Sequence, residues 1–414
     1  MLLEKAKKSV YLCARCGYCR DMVRARDNTD LMCPLRETTS GFESFTARGR
    51  NWILRLFLEG RISPRDFSET FVDHLYSCLL CGNCTEHCLV LEPESWASFP
   101  ENRFGDHLIN NDEIAMALRN LVIEEGKPPV QIRKVLENIY RSGNPLGEPR
   151  EKRDAFAQNI DFGIKNAAEE RCEELLYLGS IAPYSEMNQR AIQAVARILK
   201  AADVDFGILG AREIDSGGYA RELGEVGLFE ELARQNSELF RRYGIGEIVC
   251  LSPHDYHTFT NYYPEISEEG LAGIHVQHYT EFISDLIRNG RLRMRGNIDT
   301  TATFHDPCYL GRKNGIYDAP REILLAAGAR PIEMRLSHAN SYCCGGGGGM
   351  LWYEPKDKPR IENQRATQAV ETGANILAVA CPSCAQMLED GMKAVGGKMK
   401  VKDVAEIVEE DIVH

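Results

Sequence analysis

The sequence predicts an α+β multidomain protein, a helical cysteine-rich domain followed by two small α/β units that repeat one plan. Three observations predict it. Two cysteine runs, Cys13-x2-Cys16-x2-Cys19 and Cys78-x2-Cys81-x2-Cys84-x3-Cys88, flank a stretch whose apolar residues recur at helical spacing, with Cys33-Pro34 between them. From about residue 172 short apolar runs alternate with amphipathic segments, the pattern of small layers with parallel pairing. That second region also repeats itself: Ser180 to Asp215 is 35 positions, as is Cys308 to Cys343, and Ser252 to Asp255 matches the step from Cys381 to Cys384.

The N-terminal domain, 1–105, opens on Met1 to Lys8, which reads as a helix start without the apolar core of a signal peptide. A tight turn in CxxCxxC aims three successive thiolates at one metal centre and leaves the fourth corner to a distant residue. By the two-cluster rule, in which the last cysteine of each run serves the other run's cluster, Cys13, Cys16, Cys19 and Cys88 hold one cubane [4Fe-4S] cluster. Cys78, Cys81, Cys84 and Cys33 hold the second, zinc knuckles being the alternative. The gap from Cys19 to Cys33 is longer than in the compact pattern, with a turn-like Asp27 to Asp30, and Leu89 stands where a proline is usual. Asn51 to Glu59 is a predicted helix ending at Gly60.

Residues 106–170 read as a helical connector: Asp112 to Glu125 is amphipathic, Pro128-Pro129 breaks it, and Asn144 to Pro149 is a loop. In the first α/β unit, 171–290, strands are expected at 175–178, 205–209 and 247–251. In the second, 291–414, they are expected at 301–304 and 376–380. Where the second unit carries Cys308, Cys343, Cys344, Cys381 and Cys384, the first carries Ser180, Asp215, Ser216, Ser252 and Asp255. Cys172 and Cys250 lie outside those positions. Two carboxylates and three hydroxyls would suit a hard cation, but a relic site closed by hydrogen bonds is the better expectation. In the second unit, adjacent Cys343 and Cys344 do not readily bond to each other, whereas both can face one polynuclear centre. The glycines after them let backbone N–H groups come close to sulfur. Soft sulfur selects iron–sulfur centres, zinc or cuprous copper, and five thiolates exceed what tetrahedral zinc needs.

The composition bounds the rest. A chain of 414 residues with 49 basic and 61 acidic side chains, net −12, gives nucleic-acid binding no electrostatic support. No run of about 18 apolar residues predicts a transmembrane helix. Fifteen cysteines without a secretion signal point to a reducing cytoplasm and to metal ligation. Gly345 to Gly349 lacks the placement of a dinucleotide fingerprint, so a flavin or nicotinamide would sit on another subunit.

The runs His305 to Arg312, Cys343-Cys344-Gly345 and Cys381-Pro382-Ser383-Cys384 resemble the cysteine-rich CCG domain of heterodisulfide reductases and of the iron–sulfur subunits of glycolate and lactate oxidases. The resemblance implies that Cys308, Cys343, Cys344, Cys381 and Cys384 hold a non-cubane [4Fe-4S] cluster, zinc being the alternative, and that the first α/β unit is a degenerate CCG domain. Ala47-Arg48-Gly49-Arg50 resembles the arginine motif of the family's helical ferredoxin domain, whose arginines would offset cluster charge; solvated arginines are the plainer alternative. The resemblance further implies an iron–sulfur electron-transfer subunit of an anaerobic oxidoreductase complex. Its partners would be a flavoprotein or other redox subunits, with a membrane subunit or quinone reached through a partner, from the cytoplasm. Direct reduction of a disulfide at the CCG cluster is the alternative. His305 beside Cys308 is a candidate tuning or proton-carrying group, although a satisfied structural histidine is commoner, and Arg312 and Lys313 are candidates for attracting an anion. His254, His257, His275 and His278 carry no motif and read as structural.

Overall fold

A computed structural model describes residues 2–21, 33–91, 107–266, 271–357 and 359–413. The turn expected at Asp27 to Asp30 lies outside them. Contacts divide the chain into two units: Met1–Lys134 with Tyr219–Val226 and Tyr342–Glu362, and Val135–Gly218 with Gly227–Ser341 and Asn363–His414.

The first unit is helical. Helix α1 (Leu2–Leu12) buries Leu2, Ala6 and Val10, one face at helical spacing. A short α2 (Pro34–Thr38) starts at Cys33, its N-cap, with proline at the first helical position. Helix α3 (Ala47–Leu58) begins earlier than the apolar pattern suggests, because Thr46 caps it by accepting from the Gly49 amide. Helix α4 (Glu69–Tyr76) is capped by Ser68, and α5 (Asn83–Glu86) is a single turn. Helix α6 (Asn111–Glu124) is capped by Asn110, which accepts from Asp112 and Glu113. Helices α1, α3 and α4 pack on α6, which buries Ile114, Leu118, Leu121 and Val122. This helix lies in the stretch read from sequence as the start of the 106–170 segment.

The second unit holds two parallel sheets. One has β1 (Lys165–Asn166), β2 (Glu174–Tyr177), β3 (Phe206–Ile208), β4 (Glu247–Cys250) and β5 (His275–His278), in the order β1-β3-β2-β4-β5. The other has β6 (Thr301–Phe304), β7 (Arg330–Pro331), β8 (Ile376–Val379) and β9 (Lys400–Asp403), in the order β7-β6-β8-β9. Beyond the added edge strand β1, the two orders are the same, and every pairing is parallel. Inner strands are the apolar runs of the sequence. The outer ones, His-Val-Gln-His and Lys-Val-Lys-Asp, are polar because half of each faces water, and no apolar run marks them.

Helices cover these sheets: α7 (Glu186–Ala201), α8 (Val226–Arg242), α9 (Pro253–His257) and α10 (Tyr279–Arg288) follow the first set of strands. Helices α11 (Asp318–Ala326), α12 (Pro382–Ala394) and α13 (Val404–Glu409) follow the second. Helix α7 packs on α13 and α10 on α11, so each sheet lends its first and last helix to the other. One apolar core runs through both layers, from Leu176, Ile192, Val195 and Val249 to Phe304, Ala378, Val404 and Val408. The result puts the ends of β2 and β4, and of β6 and β8, each pair at one sheet edge, where loops carry the candidate ligands.

Candidate metal centres

The two CxxCxxC runs fold alike. Arg15 and Leu80, each just before the second cysteine, have φ of 55° and 48°, and Gly17 and Gly82, just after it, have 82° and 71°. Alternating left-handed residues wind each run tightly, and holding a buried leucine there is a strain the ligand geometry demands.

Thiols of the first unit lie close enough to raise one another's pKa. Cys19 is pushed up to about 12, first by burial and then by repulsion from Cys13, Cys33, Cys88 and Cys16. Cys88 is raised by burial and by Cys13 and Cys16. Cys33 is pushed up to about 11 by burial, with Cys78 and Cys81 adding to it and Arg50 opposing. Cys84 is raised well above the ordinary range by burial, with Asp112, Cys19 and Cys81 adding. Thiols crowded this way are poor anions by themselves and good ligands for a cation that deprotonates them outright. Four soft donors in each set fit an iron–sulfur cube. Around them, Asn111 donates to the Cys84 carbonyl (2.9 Å) and accepts from Asn51 (3.1 Å), which ties α3 and α6 to the ligand loop.

The arginine motif divides. Arg48 pairs with Glu43 and is partly exposed. Arg50 is buried, donates to the Phe45 carbonyl (2.9 Å), and directs its charge at Cys78, Cys33 and Cys84, with the Asp112 carboxylate also drawing on it. One arginine is solvated and the other belongs to the thiols.

Cys308, Cys343, Cys344, Cys381 and Cys384 are all buried, as are Cys172 and Cys250. Cys343 and Cys344 belong to the first unit, where the Gly345 amide lies 3.4 Å from the Cys343 sulfur. The glycine run has a second cause that spacing does not reveal: a Cβ on Gly347 would stand 2.3 Å from the Leu79 carbonyl oxygen, and one on Gly348 2.1 Å from that of Cys78. Cys308, Cys381 and Cys384 belong to the second unit. Cys308 follows β6, while Cys381 caps α12 and Cys384 lies in its first turn, at the positive end of the helix dipole. Cys33-Pro34, Ser252-Pro253 and Cys381-Pro382 use one device, a ligand position at the N-cap with proline next.

At the matching place after β2 and β4 no thiol stands. Ser180 donates to Asp215 (2.5 Å), Ser216 to Asp255 (2.6 Å), and the Gly217 amide to Asp215 (2.7 Å), while Ser252 caps α9 through His254 (3.3 Å). All five side chains are buried together. Hydrogen bonds close the site, and burial pushes Asp255 up to about 7 with Asp215 adding to the effect. A left-handed Gly179 makes room, since a Cβ there would meet the Asp255 carboxylate at 2.4 Å.

His305 accepts from Arg365 at Nδ1 (3.0 Å), which places its proton on Nε2, and lies within 4.8 Å of the Cys384 sulfur. Arg312 is buried and donates to the carbonyls of Ser341 (2.5 Å) and Ala339 (3.2 Å), so it shapes a loop, whereas Lys313 sits 4.0 Å above the Tyr309 ring. His254 stacks on the same ring and His257 meets it edge-on. Burial drives His278 down to about 3, and His275 pairs with Glu247. Asp306, Glu333 and His338 also cluster, but Arg321 bridges the two carboxylates and the His338 amide takes up Asp306. Sequence reasoning missed four buried arginines: Arg119, Arg153, which pairs with Glu213, Arg221 and Arg365. Nothing in an isolated sequence separates a buried arginine from a solvated one.

Residues 9–90 match the 4Fe-4S dicluster domain, and residues 302–389 match the cysteine-rich domain called CCG. The chain thus joins a 4Fe-4S dicluster domain to a CCG domain. It is similar over most of its length to heterodisulfide reductase D subunits and to a FadF iron–sulfur-binding oxidoreductase. The D subunit of the dihydromethanophenazine:CoB–CoM heterodisulfide reductase of Methanosarcina barkeri is 28% identical over 96% of this chain and 93% of its own length. The probable iron–sulfur-binding oxidoreductase FadF of Bacillus subtilis is 31% identical over 98% of this chain. An EtfAB:quinone oxidoreductase of Syntrophomonas wolfei is 32% identical over 81%. The chain spans only 60% and 46% of the length of these last two. No helix among the described residues is long and apolar enough to cross a membrane.

Proposed function

We propose that this chain is the iron–sulfur electron-transfer subunit of an anaerobic, heterodisulfide reductase-like oxidoreductase complex. Cys13, Cys16, Cys19 and Cys88 are the ligands of one cubane [4Fe-4S] cluster and Cys78, Cys81, Cys84 and Cys33 of the second. Cys308, Cys343, Cys344, Cys381 and Cys384 are the ligands of a non-cubane [4Fe-4S] cluster. Such clusters supply reversible one-electron chemistry whose potential follows charge, hydrogen bonding and exposure. The observation that carries the reading is that the two CxxCxxC runs fold alike, with a left-handed residue on either side of the middle cysteine. For the third ligand set, support comes from the first α/β unit, where the five corresponding side chains are buried and four of them pair as Ser180–Asp215 and Ser216–Asp255. We read residues 171–290 as a CCG domain that has lost its ligands, and 1–105, 106–170 and 291–414 as the ferredoxin-like, connecting and intact CCG segments.

The partners are a flavoprotein or another redox subunit, and a membrane subunit or quinone reached through a partner from the cytoplasm. Relatives named for a quinone and for a heterodisulfide support both kinds of acceptor. The heterodisulfide name also favours a second reading, direct disulfide reduction at the CCG centre. Anaerobic iron, sulfide and EPR analysis tests the first. About twelve irons in the wild type, falling to about eight in Cys343→Ala/Cys344→Ala, are expected. About eight in both, with zinc lost from the variant, would sink the redox role of the CCG centre.

A further inference from the structure

We propose that Arg119 and Tyr342 are positioning residues that fix the Cys343–Cys344 ligand pair against the second four-thiol set, so that their two centres are immediate neighbours. The proposal rests on the ligand reading above. Arg119 is fully buried on α6, and its guanidinium serves main-chain carbonyls of three separated segments. Nη2 donates to Cys78 (2.7 Å), Leu75 (3.1 Å) and Tyr76 (3.3 Å), and Nη1 to Glu222 (2.8 Å) and Gly348 (2.9 Å). The same group thus holds the carbonyl of a ligand of the second set and the carbonyl four residues after Cys344. The planar fork of arginine can do this and a lysine cannot. Between those two points the backbones lie so close that only glycine fits at 347 and 348.

The other end of the segment is tied to the other side of the same set. Tyr342, immediately before Cys343, is buried and donates to Glu37 (3.0 Å). Glu37 lies in α2, the helix that Cys33 caps, and the phenol is near enough to Cys33 and Cys343 to feel both. So the four residues after Cys344 end on Cys78, and the residue before Cys343 ends on the Cys33 helix. A segment pinned at both ends has little freedom to change its distance from the set that pins it.

The test is EPR power saturation on the loaded full chain in wild type, Arg119→Lys and Tyr342→Phe, with iron counted in each. In wild type with about twelve irons, the signal of the CCG centre relaxes faster once the second cubane is made paramagnetic. That enhancement is lost or reduced in Arg119→Lys, which keeps the charge but loses the fork, and weakened in Tyr342→Phe, which removes one hydroxyl. Enhancement absent from the fully loaded wild type, or unchanged in both variants, overturns the proposal alone. About eight irons in wild type overturns it together with the ligand reading beneath it. Should Arg119→Lys fail to fold, wild type and Tyr342→Phe still decide.

Discussion

Arg48 and Arg50 stand two residues apart on one helix and meet opposite surroundings. Arg48 is held by Glu43 at the surface, where charge is screened. Arg50 is desolvated beside Cys33, Cys78 and Cys84, where burial alone would depress its pKa and the sulfurs more than restore it. A buried positive charge favours the more negative, reduced state of any cluster bound there. Arg50→Met should therefore lower the potential of the second cubane in an EPR-monitored redox titration, while Arg48→Met leaves all potentials where they were. An equal shift from both would mean that the motif acts only through net charge. Asp255 gives a pH prediction. Its carboxyl is raised from 3.8 to about 7, mainly by burial, so the folded state holds a proton that the unfolded chain releases. That contribution to stability is fully present below the unfolded value, and is lost as pH rises through about 7. It amounts to ~4 kcal/mol across that window. Asp255→Asn keeps the acceptor for Ser216 and should flatten the fall in melting temperature between about pH 5 and pH 8. A slope identical to wild type would show that Asp255 is ionised in the fold.

Elements place the ligands, and they do so through backbone conformation. Both CxxCxxC runs place left-handed residues on either side of the middle cysteine, and Cys33, Ser252 and Cys381 each stand at an N-cap followed by proline. The glycine run after Cys344 is the tightest of these fittings. A methyl at 348 would enter the Cys78 carbonyl at 2.1 Å, and the residue also has φ of 60°. Gly348→Ala should cost more than ~1 kcal/mol in thermal or denaturant unfolding. Gly246→Ala, where nothing lies within 4 Å of the added atom, should stay within ~0.5 kcal/mol. Comparable losses from both would refute the close approach as the reason for the glycine. Polar edge strands and the cap at Thr46 escaped the sequence pattern, because each is decided by neighbours rather than by apolar spacing.

At the scale of the molecule, contacts and chain order disagree in an informative way. Contacts assign Cys343 and Cys344 to the unit that carries the two four-thiol sets, and Cys308, Cys381 and Cys384 to the unit that carries the sheets. The iron count is consequently the prediction that belongs to the whole chain. Four irons lost from the Cys343→Ala/Cys344→Ala variant should leave the other eight in place, about as they are in wild type. A loss from all three centres would show that the CCG ligands are needed to build the first unit. At the corresponding positions of the first α/β unit, Ser180 donates to Asp215 and Ser216 to Asp255.

Much of this protein was legible from residue types in order. Cysteine spacing marks the dicluster and CCG modules, and matching gaps announce two sheets on one strand plan, because cysteine spacing and strand–helix alternation are short-range constraints that sequence must spell out. What only the tertiary structure decided concerns burial and long-range contact. Which of Arg48 and Arg50 faces sulfur, that Arg119 gathers five carbonyls, and that the relic carboxylates are spent on serines all depend on which distant segments meet. The glycines show both halves: their number was plain from the sequence, while their reason, a backbone pressed against Cys78 and Leu79, exists only once the chain has folded.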